Sequence, residues 1–242
     1  MPVRAFLAEP RFERLRGIAL MVVATLSFSA MHSTIKHVST DLHPFEVAFF
    51  RNFFGLVALA PFFVRHGLTP LKTTRFGLHL GRVSLNIGSM FAFFYAISIT
   101  PLAEVIALSF AAPIFATFLA IFFFKEITGF GRWAAILIGF AGTLVILRPG
   151  YEEIGLGPIL AVLAAMTWGS AVMIIKSLSR TDSSVTITLY MVLLMTPLSA
   201  IPAAFVWEWP TWNQLFFLVL VGSFGTGGHL CMNQAIKLAP TN

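Results

Sequence analysis

The sequence predicts an all-α polytopic membrane protein, and three features predict it: composition, the length of the apolar runs, and where the bases fall. Of the 242 residues, 57% are hydrophobic and 11% are charged, whereas roughly a quarter of an ordinary soluble domain is charged. A water-soluble fold has no means of covering that much apolar surface. Uncharged runs at 105–124, 154–175, 183–207 and 209–236 reach the ~20 residues that, at ~1.5 Å each, cross a hydrocarbon core about 30 Å thick. A net charge of +6 would point to nucleic acid only if the bases formed a surface patch beside stacking aromatics. Here they lie between apolar runs, so the implied partner is the lipid bilayer and nucleic acid is not one.

Hydropathy and breakers place eight helices at 17–36, 44–64, 77–98, 101–124, 130–147, 155–176, 185–206 and 211–236. Pro44, the stretch from Pro61 to Pro70, Pro101, Arg148-Pro149-Gly150 and Trp209-Pro210 sit between runs or at their ends, where turns are expected. The junction at Thr100-Pro101 is so short that the third and fourth helices form an antiparallel hairpin. Arg4, Arg11, Arg14 and Arg16 precede a run of spanning length with no small-residue cleavage site after it, so residues 1–16 read as a cytoplasmic anchor and not as a cleaved signal. With that end inside, 12 of the 16 bases fall on cytoplasmic segments, and only Lys36 and Arg148 fall outside. Because Lys and Arg are retained on the cytoplasmic side, the expected location is a bacterial inner membrane with the N-terminus in the cytoplasm. Cys231 is the one cysteine; no intrachain disulfide is possible and no redox cofactor is indicated.

The chain also matches itself. A shift of 140 residues lays Gly17, Leu20, Val22, Ala24, Ile35, Lys36 and Ser39 over Gly157, Leu160, Val162, Ala164, Ile175, Lys176 and Ser179. A shift of 139 then lays Gly88, Ala96, Ile97 and Pro101 over Gly227, Ala235, Ile236 and Pro240. The first unit, 17–150, holds five helices, and an odd number turns the second unit, 151–242, upside down in the membrane. Inverted repeats of this kind build secondary transporters, with the solute held near the midplane between the halves. The second unit holds only three helices, so eight of an expected ten are seen. The offset places its completed end near 289, and the 242-residue chain is expected to be an incomplete transporter, unable to cycle alone.

These residues resemble the drug/metabolite transporter superfamily, in its EamA-type branch of ten helices in two five-helix repeats. The most specific stretch is YAISITPLAEVIALSFAAPIFATFLAIFFFKEITGFGRWAAILIGFAGTLVILRPG, from Tyr95 to Gly150. It is similar to the family's third-to-fifth-helix signature, with a Pro hairpin, Pro113 inside the fourth helix, Glu126 at its cytoplasmic end and a Gly-rich fifth helix. HPFEVAFFRNFFG from His43 and AVLAAMTWGSAVMIIKSLS from Ala161 resemble the starts of the second and sixth helices. The resemblance implies secondary transport of a small organic solute, amino-acid-like, vitamin-like or nucleoside-linked, by alternating access. A proton is a candidate coupling ion and a homodimer a candidate assembly. The hairpin start at Leu102, Ala103 and Glu104 is similar to that of importers of riboflavin and S-adenosylmethionine.

Ionisable groups inside a membrane are costly and are functional candidates by default. Glu46, Arg51, Arg82 and Glu104 form this set. Arg51, seven residues past Pro44, is about 10 Å deep; the plainer reading is an ion pair with Glu104, the functional one an outward-half polar site with it. Glu46 and Arg82 are expected to snorkel to the interfaces. Polar side chains at depth add His32, Asn52, Asn86, Ser89, Thr167, His229, Asn233 and Gln234, each more commonly an interhelical hydrogen bond than a ligand contact. Phe91, Phe94, Tyr95 and Trp168 could line a cavity. Gly139, Gly142, Gly222, Gly225, Gly227 and Gly228 let helices approach closely. A Gly-rich nucleotide loop is excluded, because no strand precedes it and no Lys-Ser or Lys-Thr follows. The competing class is a membrane-embedded enzyme, kept open by His32 and His229 but opposed by Asp41 and Asp182, which fall in loops. A structural membrane subunit is the third. No residue pattern binds a metal or a cofactor.

Overall fold

The computed structural model describes residues 3–62, 67, 69–115, 117–118, 130–147 and 155–238. Among them stand eight α-helices: α1 Val3–Val38, α2 Pro44–Ala58, α3 Phe76–Ile99, α4 Leu102–Ser109, α5 Phe130–Leu147, α6 Leu156–Leu178, α7 Ser184–Ala204 and α8 Trp212–Leu238. No strand occurs among the described residues. Among the described residues, six stretches are long and apolar enough to cross a membrane: Leu15–Val38, Pro44–Phe62, Phe76–Ile99, Leu156–Leu178, Ser184–Ala204 and Trp212–Leu238. The protein is an all-α polytopic membrane protein, as composition requires.

Local chemistry explains the helix starts. Pro44, whose missing N–H is harmless at a first turn, opens α2 behind His43, whose ring accepts from the Phe45 N–H. Ser183 caps α7 by accepting from Thr186 N at 3.0 Å, filling one of the orphan donors of a helix N-terminus. Three boundaries differ from the sequence expectation. Helix α2, expected to run to 64, ends at Ala58, with helical residues again at 60–62. Helix α1 begins at Val3, not near 17, because hydropathy marks where lipid begins and not where backbone hydrogen bonding ends. The fourth helix, expected to run to 124, breaks at Phe110 and Ala111 and resumes at 112–115. Pro113 is the cause: its ring clashes with the carbonyl four residues back. The chain before it tightens into three-residue bonds, Phe110 N to Ala107 O and Ala111 N to Leu108 O. Glu126 and Arg148-Pro149-Gly150 lie outside the described residues.

Packing is dominated by two antiparallel pairs, α1 on α8 and α3 on α6, with α2 wedged against α7 and α8. The register of each pair is fixed by small residues. On α3 and α6, Gly157 lies against Thr100 and Ile99, and Gly81 faces Ile174, while Ser89 Oγ donates to Ala164 O at 2.9 Å. On α1 and α8, Gly17 lies against Leu238, Phe28 against Gly228 and Met31 against Gly225.

The tightest backbone approach is α2 on α8. A Cβ on Gly222 would stand 2.5 Å from Phe54 Cβ and 2.9 Å from Gly55 N, and a backbone neighbour cannot swing away. Gly222→Ala is expected to cost about 1–3 kcal/mol, the usual penalty of overpacking, seen as a lower thermal midpoint in detergent. Gly227→Ala, with no described atom within 4 Å of the new methyl, should leave the midpoint unchanged; equal midpoints for the two variants would refute this α2–α8 packing. Of the glycines expected to bring helices together, Gly222, Gly225 and Gly228 do so, whereas Gly142 and Gly227 face no described atom at that range.

Candidate functional site

Helices that are apolar all round bury their few polar groups against one another, so the polar side chains mark the interior. Between α1, α3, α4, α6, α7 and α8 lies a cavity of about 600 Å³ with Arg51 of α2 on its wall. Arg51, His32, Asn86, Trp168 and His229 line it together, five of the residues picked out from sequence. Ile35, Ile97 and Val105, each 0% exposed, are not among its lining residues and pack in the hydrophobic core. The cavity extends to Met21 and Thr25 of α1, Thr117, and Met173 and Lys176 of α6, toward the helix ends that adjoin the basic segments.

Arg51 is held by a chain of bonds that starts behind it. Its Nη1 donates to Asn52 Oδ1 at 2.7 Å; Asn52 Nδ2 donates to Ala48 O at 3.0 Å and to Ser199 Oγ at 3.2 Å; Ser199 Oγ donates to Met195 O at 2.7 Å. Asn52 thus sits behind the cavity and positions the arginine. Gly225 gives the guanidinium room, since a Cβ there would lie 3.1 Å from Arg51 Nε. No Asp or Glu is among the described lining residues. The single ion-pair contact among the described residues is His79 to Asp182, 2.7 Å, at the α3 start, where Thr73 also donates to Asp182 at 2.8 Å. The expected Arg51–Glu104 pair is therefore not formed. Glu104 lies half-buried in the first turn of α4, away from the cavity.

Two snorkelling expectations also fail. Arg82 is 0% exposed and donates to Ile187 O at 2.7 Å and Met191 Sδ at 3.4 Å, because α3 turns that face onto α7. Glu46 is 0% exposed and accepts from Glu208 N at 3.1 Å, since the segment after α7 folds over it. Asn233 donates to Thr188 Oγ1 at 2.9 Å and Gln234 accepts from Ser184 Oγ at 2.8 Å; both join α8 to α7 and neither lines the cavity. Tyr95 stands near His43, ring centroids 6.5 Å apart, also outside it. His229 is edge-on to Phe28 at 5.1 Å and to Trp168 at 5.5 Å, and His32 is 5.0 Å from Phe93. What sequence reasoning missed are methionines: six of the nine, Met21, Met90, Met173, Met191, Met195 and Met232, line the cavity. Thioethers are flexible and polarizable, so this wall adapts to a ring or a chain.

A cavity of this size between the helices of an all-helical membrane protein, with a cation on its wall, is the build of a solute carrier. The chain belongs to the EamA-like transporter family, whose model matches residues 15–148 and 155–242. It is 34% identical over 210 residues to an S-adenosylmethionine uptake transporter of Rickettsia bellii, covering 87% of this chain and 72% of that one. It is 32% identical over 213 residues to a riboflavin transporter of Vibrio cholerae, covering 86% and 71%. A solved crystal structure of a protein at 18% identity superposes with a TM-score of 0.64 over 96% of this chain and 79% of that one, which shows a shared fold.

Proposed function

We propose that this chain, a small-metabolite transporter by family and relatives, carries an acid-bearing organic solute across a bacterial inner membrane by alternating access. Arg51 takes the acidic group, and the structure stands in the inward-facing state with the N-terminus in the cytoplasm. The observation that carries this reading is an asymmetry between two lysines related by the 140-residue offset. Lys36, at the outer end of α1, donates to the last carbonyls of α3, Ile97 O at 2.7 Å, Thr100 O at 3.0 Å and Ser98 O at 3.4 Å. There it meets the negative end of the helix dipole. Lys176, its counterpart at the cytoplasmic end of α6, is exposed and lines the cavity. One end is latched and the other is not, as expected of one half-cycle of two inverted units.

The packing supports the two-unit reading, 17–150 and 151–242. Exchange of the units carries the α1–α8 pair onto the α6–α3 pair, and the contact of Gly17 with Leu238 onto that of Gly157 with Ile99. The solute reading draws on the relatives: S-adenosylmethionine bears a carboxylate that a planar guanidinium binds well. A catalytic role draws no support from His32 and His229, whose rings pack against Phe93, Phe28 and Trp168 and make no hydrogen bond to a serine or threonine among the described residues.

Binding of labelled S-adenosylmethionine and riboflavin to the protein in liposomes, measured across pH, is the test, paired with reporters inserted after Lys72 and Lys237. Binding of the acid-bearing solute above empty vesicles and a cytoplasmic signal from both reporters are expected. Binding of neither solute, or external signals, would overturn the reading; binding that changes with pH assigns the proton.

A further inference from the structure

Asn86 is 3% exposed and lines the cavity, yet neither its Oδ1 nor its Nδ2 has a partner among the described residues. A buried amide left unsatisfied on both sides is expensive, so whatever enters the cavity completes it. Its neighbours on these two helix faces are already committed. Ser89 donates to Ala164 O, Thr167 to Leu163 O and Ser170 to Met166 O.

The α3–α6 register says what stands opposite. Thr100 meets Gly157, Ser89 meets Ala164 and Gly81 meets Ile174, so moving from Ser89 back to Asn86 corresponds to moving from Ala164 on toward Trp168. Antiparallel helices rising ~1.5 Å per residue therefore bring the Asn86 carboxamide and the Trp168 indole to the same depth. Both line the cavity, with Met191 and Met195 of α7 completing the wall.

We propose that Asn86 and Trp168 form a subsite for a planar heterocycle that presents a hydrogen-bond donor beside an acceptor. The ring lies against the indole and its edge is read by the amide. A carboxamide offers an N–H and a C=O at the spacing that pairs with the amino group and ring nitrogen of adenine. It matches the N–H and carbonyl of a flavin pyrimidinedione equally well. Stacking on an indole is sequence-blind and needs only a π-face, so the amide supplies the selectivity. This deepens the reading of the cavity as the solute path and rests on it, but Asn86 recognises the ring while Arg51 recognises the acid.

The test uses the full chain in proteoliposomes or detergent and two probe pairs: S-adenosylhomocysteine against its N6,N6-dimethyl derivative, and riboflavin against 3-methylriboflavin. In the wild type, methylation of the edge of at least one parent should weaken binding by about 10-fold or more, the size of a lost bidentate contact. Asn86→Leu should bind parent and methylated probe equally; Asn86→Gln, which keeps the amide and displaces it, should blunt the difference if the leucine variant does not fold. Equal binding of both pairs by the wild type, binding of neither parent, or discrimination that survives in a folded Asn86→Leu protein overturns the subsite, leaving Asn86 to water. The Arg51→Gln variant separates the two readings. If it weakens S-adenosylhomocysteine while Asn86→Leu leaves methyl discrimination intact, the subsite fails and the cavity stands; if neither substitution alters binding, the cavity itself is not the solute path.

Discussion

Arg51→Gln is expected to raise the Kd for an acid-bearing solute roughly 10- to 150-fold without lowering the thermal midpoint. The first part follows from the worth of a hydrogen bond to a charged group, about 1.5–3 kcal/mol, with ~1.4 kcal/mol per factor of ten. The second follows from where the charge sits. Arg51 is 5% exposed, and its one hydrogen bond among the described residues goes to a neutral amide oxygen. No acid among the described residues compensates it, so the folded protein bears the desolvation of a cation inside the membrane, about 2.5–3.5 kcal/mol on insertion scales. A neutral side chain of similar shape relieves that cost, as replacements of buried charges often do. A residue kept only for packing would give the opposite pattern, a lower midpoint and an unchanged Kd. Arg51→Lys should fall between, because the ammonium keeps the charge and loses the planar fork. Binding titrations and thermal unfolding on the same preparations decide it.

The sequence carries the spans well and the orientation of their faces poorly. Proline, glycine and the ends of apolar runs mark helix termini directly, so α3, α6, α7 and α8 fall within two residues of expectation. Which face of a helix turns inward is another matter, since helices that are apolar all round give no stripe to read. Arg82 and Glu46 show the consequence: near a helix end, snorkelling and burial look alike in sequence, and packing of α3 on α7 and of the post-α7 segment on Glu46 decided for burial. Arg51 was legible because depth alone makes it costly. The expected pairing with Glu104 fails, because Glu104 stands in the first turn of α4 and off the cavity, whereas Arg51 lies about 10 Å deep on its wall. The six cavity methionines carry no signal that separates them from lipid-facing ones. Register, which sets Trp168 opposite Asn86, depends on Gly157, Ser89 and Gly81 finding their partners on the facing helix, and only the folded chain displays that.

Lys36→Met is expected to shift the protein out of the inward-facing state. The lysine contributes charge-assisted hydrogen bonds to three carbonyls at the α3 C-terminus, carbonyls that end a helix without intrahelical donors. Those bonds exist only while α1 and α3 are latched at that end. Removing ~1.5–3 kcal/mol from one state alone changes the ratio of inward- to outward-facing molecules roughly 10- to 150-fold. Cysteine accessibility reads the shift, after Cys231→Ser removes the native thiol. Ile97→Cys, at a buried position whose carbonyl accepts from Lys36, should become reactive to an impermeant reagent from outside in the Lys36→Met background. Met173→Cys, on the cavity wall one turn from Lys176, should lose reactivity from inside. Lys176→Met must do the reverse if it is the repeat partner of Lys36, because it would latch the other end only in the outward-facing state. Opposite shifts from two lysine-to-methionine changes cannot arise from a general loss of stability, which would open both sites together. Shifts of the same sign, or none, would remove the latch and with it the exchange of roles between the two units.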